Sequence, residues 1–289
     1  MKDHLNLPIG MHLNVPANMY HADLLSERIT LSRSCADTLI NRSALHAKSE
    51  HPRLNPDVAP RDSTSEMDFG DVAHELMLGN GRGFAVWEGK TWQGKDAGIF
   101  WDKAVADGVT PIKRADYSRA LLAVSEWRRQ LQEMGLGYVF SQSGVSEATF
   151  LWEESDGCTC RARLDWHIAD GDACEIWDLK TTENAHPKTV SKQVCNMNYD
   201  LQEVWNTRAY WNTFQKSAGR VKFRFLFAET KPPFAILAYE TDGAAKACGE
   251  SAVMKAVDKW KQCMSSGIWP AYSTELYRGE TPAWRLAIA

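Results

Sequence analysis

Asp178 and Lys180 stand two residues apart in EIWDLKTT, a short hydrophobic run of the kind that forms a strand. Successive strand residues point to opposite faces, so the acid and the base share one face while Trp177 and Leu179 share the other. Asp165 lies in the preceding run, CRARLDWHI, ahead of the turn-forming ADGD. If the two runs pair around that turn, both carboxylates can point at one spot. Two converging carboxylates, with water and a phosphate oxygen, suit a hard, oxygen-preferring cation such as Mg2+. Lys180 could orient or deprotonate the water, or neutralise charge building on a phosphoryl group, which together is the minimum set for phosphodiester hydrolysis. The same residues also fit a plain cross-strand ion pair between Asp165 and Lys180, worth on the order of 0–1 kcal/mol. Taken alone, the three leave both readings open.

The elements that must position them follow from periodicity. Runs at 147–153, 159–168 and 174–180 read as three strands separated by SDG and ADGD turns. In the middle one, Cys160, Ala162, Leu164, Trp166 and Ile168 alternate with Arg161, Arg163, Asp165 and His167, which predicts one packed face and one polar face. Upstream, Phe69, Val72, Ala73, Leu76 and Met77 have the spacing of an amphipathic helix, with Gly79 as its stop and His74 on its flank. A flank histidine of this kind ordinarily bonds solvent or a neighbour. A helix from about 115 to 134 and another from about 199 to 215 are predicted. On the latter, Tyr199, Gln202, Asn206 and Tyr210 fall on one face, suited to contacts with a DNA backbone or terminal base. Strands at 221–229 and 234–240 and a helix from about 244 to 264 complete a mixed α/β (α+β) domain. Ser32 or Ser34 is placed to cap a helix running into CADTLINRSALHAK, and HPRLNPDVAPRDSTS reads as a loop. Residues 1–28 show no clear period and are expected to form a loosely attached arm, leaving 29–289 as a single domain.

Composition bounds the answer further. The chain has 289 residues, 44% hydrophobic and 24% charged, enough for a substantial core. A net charge of −4 argues against a histone-like binder, but not against an enzyme whose basic residues line one groove. Basic clusters lie at Arg128–Arg129, at Arg161 with Arg163, and from Lys216 to Arg224; each is also compatible with a solvated edge. No apolar run reaches bilayer length, and MKDHLNLPIGMHL lacks a signal-peptide layout, so a soluble cytoplasmic protein is expected. The seven cysteines are odd in number and scattered, which predicts reduced structural thiols; the Cys158–Cys160 pair supports a zinc site poorly. GNGRG at 79–83 lacks the Lys-Ser/Thr of a P-loop and carries no nucleotide role.

Asp165, then Asp178-Leu179-Lys180, resembles the PD-(D/E)xK nuclease motif, with Asp at the second acidic position in place of the commoner Glu. Gly70-Asp-Val-Ala-His74 is similar to the G-x-x-x-H helix of the RecB-type branch, and Tyr199-Asp-Leu-Gln202 to that branch's Gln-containing helix. With LSRSCADTLINRSALH, FGDVAHELMLG, CRARLDW, WDLKTTENAHP, YDLQ and AETKPPF in order, the chain resembles the RecE-like (exodeoxyribonuclease VIII-like) exonucleases of phages and prophages over roughly residues 29 to 285.

The resemblance implies a PD-(D/E)xK fold with a central mixed sheet flanked by helices. It implies metal ligation by His74, Asp165, Asp178 and the Leu179 carbonyl, Lys180 as the catalytic lysine, and Glu147 as an aid to the metal site or the substrate, although Glu147 also reads as a plain exposed strand carboxylate. Tyr199, Gln202 and Tyr210, with Arg161 and Arg163, become the candidate DNA contacts. Where the family commonly has Tyr four residues after the Gln, this sequence has Asn206. The implied activity is a Mg2+-dependent exonuclease, Mn2+ substituting, that resects one strand of linear duplex DNA 5′ to 3′ for recombination. The implied partners are duplex ends, a RecT-like single-strand annealing protein and further copies of the chain in a ring, with no membrane and with the bacterial host cytoplasm as setting. An endonuclease on the same fold, or a catalytically idle DNA-binding module, would share much of the pattern. Some RecB-type relatives hold an iron–sulfur cluster, but with only Cys248 and Cys263 late in the chain and far apart, none is expected here.

Overall fold

Alternation and turn chemistry set the backbone of a seven-stranded mixed sheet in the computed structural model, which describes residues 4–58, 64–141, 143–154, 157–215, 220–273 and 275–281. The first third of the chain forms β1 (Gly10–His12), α1 (Ala17–His21), β2 (Leu31–Ser32), α2 (Arg33–Asn41), α3 (Ala44–Glu50) and α4 (Ser65–Leu78). A small excursion follows, with β3 (Phe84–Trp87), α5 (Lys95–Ala106), β4 (Thr110–Lys113) and the long α6 (Arg114–Glu133). The core strands β5 (Val145–Glu154), β6 (Cys158–Asp170) and β7 (Ala173–Thr182) come next, then α7 (Pro187–Asn196), α8 (Tyr199–Phe214), β8 (Val221–Glu229), β9 (Ile236–Tyr239) and α9 (Gly243–Ser266).

The main sheet runs β1-β5-β6-β7-β8-β9, with β2 beside β6, and β3 pairs with β4 separately. In the main sheet neighbours are antiparallel except β2 with β6 and β7 with β8, and β3 with β4 is also parallel. The parallel β7–β8 pair needs a crossover, and α7 with α8 supplies it. One face packs Leu39 of α2, Leu201, Val204 and Trp205 of α8, and Val253 and Trp260 of α9 against Phe150, Leu164, Ile176 and Phe225. The other packs Val72 and Met77 of α4 and Trp127 and Leu131 of α6 against Trp166, Trp177, Leu179 and Leu226. Along β7, Ile176 therefore faces one layer while Trp177 and Leu179 face the other, as alternation requires.

Capping sets the helix ends near the site. Thr64 accepts from the Met67 amide to open α4, and Gly79, at φ 73°, closes it. Ser32 caps α2 by accepting from the Cys35 amide. The expected continuous helix through CADTLINRSALHAK breaks at Arg42, because Ser43 re-caps the chain by accepting from His46.

The N-terminal segment differs from expectation. Residues 4–28 are knitted into the fold rather than loosely attached: β1 pairs with β5 from Gly10↔Leu151 to His12↔Thr149, and Leu25 is buried with Val15 and Leu151. Asp23 is fully buried, accepting from the Thr30 amide and hydroxyl and from Arg161. The segment has no amphipathic period because it covers the sheet as extended chain, turns and the short α1, too short a helix to show one. The cysteines of the described residues are all free, and five of them are buried. No helix among the described residues is long and apolar enough to cross a membrane.

Candidate metal centre

Three carboxylates fall in one row across the sheet. The register that pairs Ser146 with Trp166 and Ala148 with Leu164 sets Glu147 opposite Asp165. The register that pairs Trp166 with Trp177 would set Asp165 opposite Asp178, but the β6–β7 ladder ends at Trp166–Trp177. The strands separate there, and farther along the same edge of β6 is occupied by β2 at Cys160 and Arg161. The Asp165 carboxylate fills part of the gap, accepting from the Leu179 amide at 3.0 Å.

Both strands also change their packing sense at this row. On β6, Leu164 faces the α8 layer, yet Trp166 faces the α4–α6 layer. On β5, Val145 and Ala148, of opposite parity, both face the α8 layer. Glu147 takes up the inversion with a left-handed φ of 54°. A non-glycine residue there costs on the order of 1–3 kcal/mol and persists only where its surroundings enforce it. The strict alternation expected for 160–168 thus fails at Asp165 itself, and the face read as polar is not open: Arg161 and His167 on it are buried.

Above the row stands His74 of α4. Its Nε2 lies 2.9 Å from Asp165 Oδ2 and its Nδ1 3.6 Å from Glu147 Oε1. One donor atom from each of His74, Glu147 and Asp165 lies within 4.8 Å of the others, close enough to hold one metal ion. Gly70, one turn earlier, lets the helix approach β7, since a β-carbon there would sit 3.2 Å from Thr181 Oγ1.

Asp178 is not part of that triad. It is 1% exposed, with Lys180 against Oδ1 and Gln202 donating to Oδ2. Lys180 Nζ is also 5.2 Å from the Tyr199 ring centroid. Gln202 is held in turn by Arg33, whose Nη2 donates to Gln202 Oε1 at 3.0 Å. Arg33 escaped the sequence reading, although it lies inside LSRSCADTLINRSALH; the Ser32 cap that starts α2 was the signal that would have placed it at a helix N-terminus facing β6.

The electrostatics follow from crowding. Burial and the neighbouring Asp165 push Glu147 up to about 7 and Asp178 up to about 6. Burial also disfavours charge on Asp165, but His74, Lys180 and the Leu179 amide outweigh it and hold Asp165 below the usual carboxylate range. At His74 burial opposes protonation, yet Asp165 and Glu147 dominate and raise it to about 9. The protonated imidazole thus supplies positive charge that three clustered carboxylates demand. Carboxylate oxygens with one imidazole nitrogen form a donor set for a hard or borderline divalent cation, and Asp178 Oδ1, buried against the Lys180 ammonium, is a further carboxylate oxygen close by whose charge acts on Asp165, Glu147 and His74. The residues fit such an ion.

The expected DNA contacts fare differently. Tyr199, Gln202, Asn206 and Tyr210 do share one face of α8, but that face packs on the sheet and all four are buried. Tyr199 packs its ring at a tilt against Phe225 and Phe227, and Tyr210 sits among Phe150, His167 and Phe214. Gln202 acts on Asp178 instead. Arg161, 4% exposed, donates to Asp23 and Thr30 and is a structural ion pair rather than a phosphate contact. Arg163 is engaged by Val15, Thr149 and Glu147. Leu179 packs its side chain as expected. Part of the third basic cluster, 216–219, lies outside the described residues; Arg224 within it pairs with Glu175 and Glu240.

A family model described as "PDDEXK-like domain of unknown function (DUF3799)" matches residues 53–278. No curated protein matches the chain significantly. Among solved structures, a protein from Eubacterium rectale provisionally named an exonuclease is similar over 95% of this chain and 98% of its own, with 13% identity and a TM-score of 0.61. The crystal structure of SSO0001 covers 74% of this chain and 99% of its own at 12% identity, but its TM-score of 0.24 carries no argument. The likeness to the Eubacterium rectale structure speaks for the fold, and the match over 53–278, which takes in His74, Glu147, Asp165, Asp178 and Lys180, shows that this chain belongs to the PDDEXK-like family.

Proposed function

We propose that this protein is a divalent-cation-dependent DNA nuclease, and specifically a RecE-like exonuclease that resects one strand of linear duplex 5′ to 3′ by phosphodiester hydrolysis. The observation that carries the reading is the row of Glu147, Asp165 and Asp178 at the β6–β7 fork, with His74 above it and Lys180 against Asp178. The family and the fold of the Eubacterium rectale neighbour support a nuclease; polarity, Mg2+ as the ion, a recombination role, an annealing partner and a ring assembly belong to the proposal.

His74, Glu147 and Asp165 would hold the cation, with Asp178 completing the set. The ion supplies Lewis-acid polarisation of a phosphoryl oxygen and acidifies water. Lys180 keeps its ammonium within reach of charge building on the scissile phosphate, and its contact with Asp178 fixes where that charge is met. Gln202 holds Asp178 Oδ2 so that Oδ1 stays toward Lys180. Trp177 and Leu179, buried on the opposite face, prevent the strand from rotating.

The test is release of nucleotides from linear duplex labelled at the 5′ or the 3′ end, with Mg2+ and with chelator, beside a closed circular substrate. Early release of the 5′ label, Mg2+ dependence and no cleavage of the circle are expected. Cleavage of the circle would make the protein an endonuclease. Activity surviving in Asp178→Ala or Lys180→Ala would remove the site.

A further inference from the structure

Arg163 is aimed away from solvent, at the metal centre's own carboxylate. Its Nε lies 3.5 Å from Glu147 Oε2 and 3.3 Å from Thr149 Oγ1, and its Nη2 donates to the Val15 carbonyl. Its guanidinium carbon lies 5.0 Å from the Tyr20 ring centroid. Val15 and Tyr20 belong to the N-terminal segment, which is anchored by β1 on β5 and by Asp23 on Arg161 and Thr30. A guanidinium offers five N–H groups in a rigid fork, so a partner on each side fixes its plane.

Glu147 needs such support. It sits at a left-handed φ of 54° inside a strand, a conformation that relaxes unless neighbours over-determine it. Its carboxylate has two charged neighbours on opposite oxygens, His74 Nδ1 at Oε1 and Arg163 Nε at Oε2. Without Arg163, nothing in the described residues would hold Oε2, and the side chain could turn from the imidazole toward solvent.

We propose that Arg163 is a positioning residue of the metal centre, and that the N-terminal segment, through the Val15 carbonyl and the Tyr20 ring, is the clamp that aims it at Glu147. This rests on the metal-site reading above. Partners that orient metal ligands typically change metal affinity or activity 10- to 100-fold when removed. Because the clamp is built from residues 15 and 20 against residue 163, it exists only when the N-terminal segment is seated. Val15 and Tyr20 then support the metal centre through Arg163 without touching it.

The test measures Mn2+ affinity of the full chain by calorimetry, which does not depend on turnover, beside thermal melting. Arg163→Gln is expected to weaken Mn2+ about tenfold in a folded protein, Glu147→Gln by a similar factor, and the double variant no further than either alone. Arg163→Lys, which keeps the charge but cannot reach Val15, Thr149 and Glu147 together, should recover only part of the loss. Tyr20→Leu should weaken binding two- to threefold, and it decides the matter if Arg163→Gln does not fold. Unchanged affinity in folded Arg163→Gln or in Tyr20→Leu, or losses that multiply in the double variant, would overturn the proposal. If Glu147→Gln itself leaves Mn2+ binding unchanged, the metal-site reading fails instead, which separates the two outcomes.

Discussion

Gly70 of α4 faces Thr181 of β7 so closely that a β-carbon on the glycine would lie 3.2 Å from the threonine hydroxyl oxygen. Four residues on, on the same face of the helix, His74 reaches Asp165. The glycine therefore sets the depth at which the imidazole enters the site.

Replacing Gly70 with alanine pits two effects of similar size. Helix propensity favours alanine by about 0.5–1 kcal/mol, and overpacking costs about 1–3 kcal/mol if the threonine cannot yield. Gly70→Ala is expected to change the melting temperature little while weakening Mn2+ binding severalfold, and Gly70→Val to weaken both. Calorimetry beside thermal denaturation checks this; a Gly70→Val protein with unaltered metal affinity would show that the close approach does not matter.

Gln202 bonds Asp178 Oδ2 in a buried setting, and Arg33 fixes the amide by donating to its oxygen. Gln202→Leu leaves that carboxylate oxygen without its donor, at a cost of about 1–3 kcal/mol, and favours the protonated acid. Hydrolysis by this variant should fall about 10- to 100-fold at pH 7.5. Arg33→Leu, one step further out, should lose less. Rates measured over a range of pH should show the Gln202→Leu loss shrinking as alkali restores the carboxylate.

Metal uptake should release protons. His74 is raised to about 9 and Glu147 to about 7, so at pH 7.5 the metal-free site carries a protonated imidazole that a cation must replace. Affinity is then expected to rise with pH up to about 9 and to fall steeply below about 7. Calorimetric titrations of Mn2+ in buffers of differing ionisation enthalpy should give a binding heat that tracks the buffer, corresponding to about one proton released near pH 7.5. Heats independent of buffer would contradict the protonated His74.

His167, buried between Phe150 and Tyr210 with no hydrogen-bond partner on Nδ1 among the described residues, is held down to about 4 by burial. Its folded value lies below the unfolded 6.5, so protons bind the unfolded chain better, and the contribution to stability is full above 6.5 and drains away as the pH falls toward 4. The amount is about 3 kcal/mol. Urea denaturation at pH 7 and at pH 4.5 should show a smaller acid loss for His167→Phe than for the parent. An equal loss would place the acid lability elsewhere.

Residue types and local spacing suffice to reveal Asp178 and Lys180 on one strand face, a helix carrying His74 and ending at Gly79, and the three-strand run around the ADGD turn. These depend on φ/ψ preferences and side-chain periods that a short window contains. They also suffice for the mixed α/β class. What they leave out is which partner covers each face. Arg161 has the spacing of an exposed strand residue, and is buried because Asp23, more than a hundred residues away, lies over it. The inward face of α8 is polar enough to look like a DNA surface, but Asp178 and the sheet aromatics take it. The reversal of alternation at Glu147 and Asp165 has no local signature at all, since two strands must invert together for either to do so. Chemistry at a site can be read from the residues that supply it. The shape of the site is decided by long-range pairing, whose energy is shared between segments that no local pattern connects.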